Sequence, residues 1–471
     1  MRLLRLAGPG GTALGPLLEP HGIEFPCGGE GICSGCRVRV VEGDVPVTPE
    51  MVALLTGEEL AAGWRLACRS VARGPVTVEV AQWETAVLSD DTPVRFEPRS
   101  GTGIAVDVGT TTLVAQLVDL ASGEVLGVET ALNPQAAHGA DVMSRVASAL
   151  AGAPLQPLIR DAIGRMIGRL APPTSLQRVV LVGNTAMHHL FGGLDVRPLA
   201  AAPFEPAHLG PLRERLWNAE AEFLPCLGGF VGSDILAGIH ACGMAESDRL
   251  TALVDLGTNG EIVLGNRHRL ICASTAAGPA FEAAQIRQGM RAAPGAIAHV
   301  TARHGRLRCR VIGNVEPRGI CGSGLVEACA AGVELGLIQP NGRLAAGAKE
   351  LPLDGPVALT QADIRELQLA KGAIASGLRL LADRLGARLD DIETVYLAGA
   401  FGNYVSVQAA LRTGLIEVPR IKPSGNTALR GAKLALLNDL PPVAVEHFPL
   451  ASHPQFQDVF AECLRFPLTS L

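Results

Sequence analysis

Four cysteines near the start of the chain have the types and spacing of a metal–sulfur cage. Cys27, Cys33 and Cys36 lie within CGGEGICSGC, and Cys68 follows in LACRS. Thiolates are the protein ligands of iron–sulfur clusters, and a 2Fe-2S cluster takes four of them. Gly28, Gly29, Gly31 and Gly35 let the backbone wrap closely and aim N–H groups at cluster sulfurs. A structural zinc is the competing use of four cysteines. Zinc sites favour paired C-x2-C knuckles, however, and Cys27 and Cys68 each stand outside one. Disulfides fit less well, because the cysteine total of 11 is odd and residues 1–20 have too little unbroken apolar sequence for a secretory signal. Cys226, Cys242, Cys272, Cys309, Cys321, Cys329 and Cys463 read as small buried thiols.

A second chemistry comes from an internal repeat. GIAVDVGTTTLVAQLVD (103–119) and ALVDLGTNGEIVLG (252–265) share an apolar run, an Asp, a Gly-Thr turn and a second apolar run. Each predicts a β-hairpin whose turn offers N–H groups and hydroxyls to phosphate oxygens. Asp107 and Asp255, 148 residues apart, are the candidates for positioning Mg2+ and water, with turn capping as the plain alternative. Gly109, Thr110, Thr111, Thr112, Gly257, Thr258 and Asn259 are the phosphate candidates. In VYLAGAFGNYV (395–405), Gly399, Ala400 and Gly402 leave room for a flat ring and ribose, while Asn403 bonds the nucleotide or caps the next helix. Gly322, Ser323 and Gly324 form a weaker backbone nest before a helix. Gln135 and Asp141 take either a catalytic or a loop and N-cap role. His188 and His189 are adjacent on a helix, so at most one faces a given site, and a satisfied core role is favoured for both.

The elements that must position these groups follow from pattern. In residues 1–82, strand, cysteine loop, strand, helix, cysteine and strand succeed one another, which resembles a β-grasp ferredoxin. The C-x5-C-x2-C spacing is similar to the adrenodoxin type rather than the plant type. Residues 83–101 are polar, contain Pro and read as a linker. Residues 102–471 read as a duplicated domain, with halves of about 102–250 and 251–471. GLVEACAAGVELGLIQP carries Glu327 and Glu334 and reads as a buried helix rather than a membrane span. A net charge of −6 argues against nucleic acid or an anionic membrane as partner. The 48% hydrophobic content and mean hydropathy of +0.28 suit a well-packed cytoplasmic protein with reduced thiols.

The order of two phosphate hairpins and an adenosine loop resembles the ASKHA superfamily of sugar kinases, actin and chaperone ATPases. More closely, NPQAAHGADVMSRV (133–146), VLVGNTAMHHLFGG (180–193), GPAFEA (278–283), GICGSG (319–324) and LAGAFGNYV look like the reductive activators of corrinoid proteins. That resemblance implies an α/β chain in which a β-grasp 2Fe-2S ferredoxin domain precedes a duplicated ASKHA ATPase. It implies ATP and Mg2+ as cofactors, a corrinoid protein as partner, an upstream electron donor and a homodimer through the ASKHA domain. The implied activity returns Co(II) corrinoid to methyl-accepting Co(I) with an electron from the cluster. An activator of another low-potential enzyme, a redox-regulated small-molecule kinase and a non-enzymatic redox sensor are the alternatives. The longer activators carry a middle domain, and with about twenty residues before the first hairpin this chain reads as a short form that lacks it.

Overall fold

Alternating apolar residues in RLLRL, RVRVVE, WRL and VTVEV build a four-stranded antiparallel sheet. Its order is Arg2–Leu6, Val76–Val80, Arg37–Glu42, Trp64–Leu66. Leu4, Leu6, Val38, Leu66 and Val78 point inward onto Leu14, Leu18, Met51 and Leu55. Burying each such side chain stabilises the fold by roughly 1.5–3 kcal/mol. The expected helical turns are Pro49–Leu54, opened by a proline at its first turn, and Gly57–Ala61. The structure is a computed structural model that describes residues 2–6, 11–18, 31, 36–55, 57–80, 96–170, 176–257, 259–345, 347–402, 405–450 and 453–467. Most of the expected linker lies outside the described residues.

Residues 1–86 and 279–368 together make one compact unit, and residues 87–278 and 369–471 make the other. In the first unit, the segment 279–368 contributes a three-stranded sheet centred on Ala296–Arg303 and the helix Gly322–Glu334. That helix is buried on every side from Gly322 to Gly332, as its all-round apolar sequence requires. Its Glu327 is satisfied internally, accepting from the Val300 N–H at 2.8 Å. Within the same unit the Arg318 guanidinium lies over the Trp64 ring, 4.8 Å from its centroid.

The second unit holds two six-stranded sheets built to one plan. The first runs Leu212–Leu216, Ala219–Phe223, Leu176–Val182, Thr102–Val108, Thr112–Asp119, Val125–Leu132. The second runs Ile421–Gly425, Thr394–Ala398, Thr251–Leu256, Gly260–Asn266, Arg269–Thr275, Val445–His447. In both, three antiparallel strands are followed by two strands added in parallel on the side of the first. The sheets differ in the sixth strand: Leu212–Leu216 is antiparallel on that edge, whereas Val445–His447 is parallel on the opposite edge. The second repeat is not continuous, because residues 279–368 interrupt it after its third strand and end within the helix Gln361–Leu385. Helix Leu155–Leu170 buries Leu155, Ile159, Ala162, Ile163, Met166 and Ile167, one stripe at helical spacing, against the first sheet. Helix Ser233–Ala241 of the first half and helix Thr427–Leu437 of the second each pack on the other half's sheet. Ala428, Leu429, Ala432, Ala435 and Leu436 cover Ala105, Val114 and Val180, while Ile235 and Ile239 cover Leu253 and Val263. Gly431 lets these two helices touch, since a β-carbon there would strike the Ala237 backbone.

Candidate functional site

Antiparallel pairing of Arg37–Glu42 with Trp64–Leu66 sets Arg37 opposite Leu66 and so brings the residues flanking those strands together. Cys36 precedes the first strand, and Cys68 sits in the short 3-10 turn Ala67–Arg69 after the second. The Ala67 N–H donates to the Cys36 carbonyl at 2.9 Å, and the two Sγ atoms stand 3.3 Å apart. That gap is well beyond the roughly 2.05 Å of a disulfide. Two adjacent thiols beside neighbouring strands are two of the four donors that a 2Fe-2S cluster takes. Cys27 and Cys33 lie outside the described residues.

Both repeats form the expected hairpins. In the first, Asp107 pairs with Val114 and Val108 with Leu113, leaving Gly109, Thr110 and Thr111 as the turn and Thr112 as the first residue of the returning strand. Gly109 is required by space, because a β-carbon would lie 2.5 Å from the Thr112 carbonyl oxygen. In the second, Asp255 pairs with Glu261 and Leu256 with Gly260, and the Gly257 N–H donates to the Asn259 carbonyl at 3.0 Å. Thr258 lies outside the described residues. The third loop arrives through the sheet. Ala398 is in register with Asp255, so Gly399 emerges beside that carboxylate with φ of 86°. A β-carbon on Gly399 would sit 2.5 Å from Asp255 Oδ1. The helical turn Gly399–Gly402 carries the small residues onward, and Asn403 is outside the described residues.

Asp107 and Asp255 come together, and they are joined by two acids that sequence reasoning missed. Asp234 stands in the first turn of helix Ser233–Ala241, and Glu261 is the second residue of the returning strand of the second hairpin. Burial pushes the Asp234 carboxyl up to about 8, with Asp255 and then Asp107 adding repulsion. Burial pushes Asp255 up to about 7, again with Asp107 adding to it. Asp107 rises to about 6 through burial, opposed by a hydrogen bond from Asn426. Glu261 is raised well above its ordinary range by burial and by Asp234 and Asp255. A cation is what such a group of carboxylates lacks. Among the described residues no three His, Cys, Asp or Glu side chains converge as direct metal ligands. Buried carboxylate oxygens are hard donors and suit a hard cation of the Mg2+ class. Nothing in the linear pattern of Asp234 marked it out; Glu261 is legible only as the register partner of Asp255.

The remaining candidates have structural employment. Gln135 is fully buried and its Nε2 donates to the Leu155 carbonyl at 2.9 Å. Asp141 N-caps helix Val142–Leu150 in a capping box with Ser144. His188 and His189 are both buried in helix Thr185–Gly192 and bond the carbonyls of Gly210 and Thr185. Burial, with His189 adding to it, lowers His188 to about 4 and keeps it neutral. Gly322 and Ser323 begin their helix in the first unit, and the Ser323 hydroxyl donates to the Ala298 carbonyl.

Comparison with known proteins places these elements in order. A 2Fe-2S iron–sulfur cluster binding domain matches residues 6–73. A family model described as the RACo middle region matches residues 102–247, and one described as the C-terminal domain of RACo, the ASKHA domain, matches residues 249–471. The expectation that a middle domain is missing is thus corrected: the residues read as the first half of the ATPase are that region. RamQ, a corrinoid activation enzyme of Eubacterium limosum, is 34% identical over 418 residues, 76% of this chain and 69% of that protein. The Co(II) methylated amine-specific corrinoid protein reductase of Methanosarcina barkeri is 29% identical over 71% of this chain and 70% of its own. A solved reductive activator for a corrinoid, iron–sulfur protein superposes with a TM-score of 0.68 at 27% identity, covering 98% of this chain and 96% of that one.

Proposed function

Because the chain belongs to the reductive activators of corrinoid proteins, we propose that it uses ATP to drive one electron onto the Co(II) of a partner corrinoid protein, regenerating Co(I). Cys27, Cys33, Cys36 and Cys68 hold a 2Fe-2S cluster. When bound, that group supplies single electrons. In this reading the transfer to cobalt runs uphill, and the nucleotide supplies the work. An external low-potential donor replaces each electron delivered.

The backbone N–H groups and hydroxyls of the two hairpins take the phosphates from opposite sides. Asp107 and Asp255 hold Mg2+ through its waters, and Asp234 and Glu261 complete the negative lining that a dication neutralises. Gly399 and Gly402 admit the adenosine beside the second hairpin. Closure of the two crossed halves on the nucleotide supplies the two-state element that changes cobalt coordination or docking. The observation that carries this reading is the convergence of Asp107 and Asp255 from the two halves of a duplicated fold.

The test is an anaerobic mixture of dithionite-reduced protein with a Co(II) corrinoid protein, followed at the Co(I) absorption band. Co(I) should accumulate only with MgATP. Equal accumulation without nucleotide, or release of a phosphorylated small molecule in its place, overturns the proposal.

A further inference from the structure

Three asparagines surround the first hairpin, and each does two things with one amide. Asn133 caps the 3-10 turn Pro134–His138, its Oδ1 accepting from the Gln135 N–H at 3.0 Å. Its Nδ2 donates to the Gly109 carbonyl at 2.9 Å, and its own N–H donates to the Thr111 carbonyl at 2.9 Å. Asn184 caps helix Thr185–Gly192, with Oδ1 accepting from the Met187 N–H, while its Nδ2 donates to Thr110 Oγ1 at 2.9 Å. Asn426 caps helix Thr427–Leu437, with Oδ1 accepting from the Leu429 N–H, while its Nδ2 donates to Asp107 Oδ2 at 2.8 Å. Each amide orientation is fixed at its cap, since turning it over would set N–H against N–H there, and at Asn133 it would also set oxygen against the Gly109 carbonyl.

Ser, Thr or Asp caps a helix as well as Asn. Only the amide joins a cap acceptor to a donor that reaches outward from the same planar group. The atoms it reaches are the ones that matter for the turn: a carboxylate, a turn carbonyl and a hydroxyl. A Thr110 oxygen that accepts from Asn184 keeps its own proton for the site. Asn133 and Asn184 are also nearly closed to solvent, so the hydrogen bonds are not exchanged with water.

We propose that Asn133, Asn184 and Asn426 are positioning residues that lock the first hairpin in its ligand-holding form and tie it to a 3-10 turn and two helices drawn from both halves of the repeat. The proposal rests on the reading of that hairpin as a nucleotide site. It gives a role to the NPQ and GNT motifs that neither Gln135 nor His188 supplies.

The experiment uses the full-length holoprotein with Asn133→Asp, Asn184→Asp and Asn426→Asp made singly, since Asp preserves the cap and removes the donor. Asn→Ser at each position withdraws the donor without adding charge and serves where an Asp variant fails to fold. Hydrogen–deuterium exchange over residues 107–114 should rise about tenfold, with the capped helices protected as before. KM for MgATP in Co(I) formation should rise about tenfold while kcat moves less. Wild-type exchange and KM in all three positions would overturn the proposal. Faster hairpin exchange with unchanged KM, together with normal nucleotide binding by Asp107→Asn, would keep the positioning role and overturn the nucleotide assignment instead.

Discussion

Asp107, Asp234 and Asp255 ionise at about 6, 8 and 7 in the folded chain, against about 4 for an unfolded carboxyl. Between those limits the folded state binds more protons than the unfolded state, so stability falls as pH rises. The contribution is complete below pH 4 and is lost by pH 8. The nucleotide-free protein should therefore melt lower at pH 8 than at pH 5, by an amount on the order of a few kcal/mol. Asp234→Asn should flatten that dependence, and MgATP should recover it by favouring the ionised acids. Parallel melting curves for wild type and Asp234→Asn across this range would show that the acids are not coupled. Cysteine chemistry separates from this entirely. Cys68→Ser removes one ligand of the neighbouring Cys36–Cys68 pair, so visible absorbance and cobalt reduction should vanish while MgATP affinity stays within about twofold. Loss of nucleotide binding in that variant, measured by calorimetry, would contradict two separate chemistries.

Gly399 shows what an element boundary contributes. It follows a strand that ends at Ala398, holds φ of 86°, and leaves no room for a β-carbon beside Asp255. Gly399→Ala adds roughly 1–2 kcal/mol of backbone strain and a β-carbon in contact with Asp255, so MgATP affinity should fall tenfold or more. Gly414→Ala is the matched control. It has φ of 67° at the end of helix Val407–Thr413, and it should cost similar stability with nucleotide affinity unchanged. Equal affinities in the two variants, read by titration, would remove Gly399 from the site. The hairpins were legible because Asp and Gly-Thr interrupt apolar strands at fixed positions, a local signal. Asp234 was not, since what makes it unusual is its burial and then the charge of Asp255, both set across the fold rather than along the chain. The asparagines looked like ordinary caps for the same reason: Asn426 meets Asp107 across 319 positions of sequence. The insertion of residues 279–368 hid the true extent of the second repeat. The family's middle region was mistaken for an absence because it carries the same hairpin and the same parallel additions as the ASKHA half that follows.

One polypeptide joins a 2Fe-2S domain matched over residues 6–73 to a middle region matched from residue 102 and an ASKHA domain matched from residue 249. The cysteine domain also packs with residues 279–368 in one compact unit, so the chain holds it by contacts as well as by connection. Parts joined in one chain meet at an effective concentration on the order of millimolar. Separate molecules mixed at micromolar concentration meet about a thousandfold less often. Cys68→Ser, which keeps the nucleotide site, can be mixed with Asp107→Asn, which keeps the cluster. If electron delivery and nucleotide closure must act on the same docked corrinoid, each damaged chain lacks what the other holds. The mixture at 1 µM (about the lower end of working concentrations) should then form Co(I) far more slowly than wild type, with a rate that climbs as both proteins are concentrated. Full recovery at that dilution would mean that the cysteine domain serves as an exchangeable carrier, and that joining the two chemistries in one chain does not govern the rate.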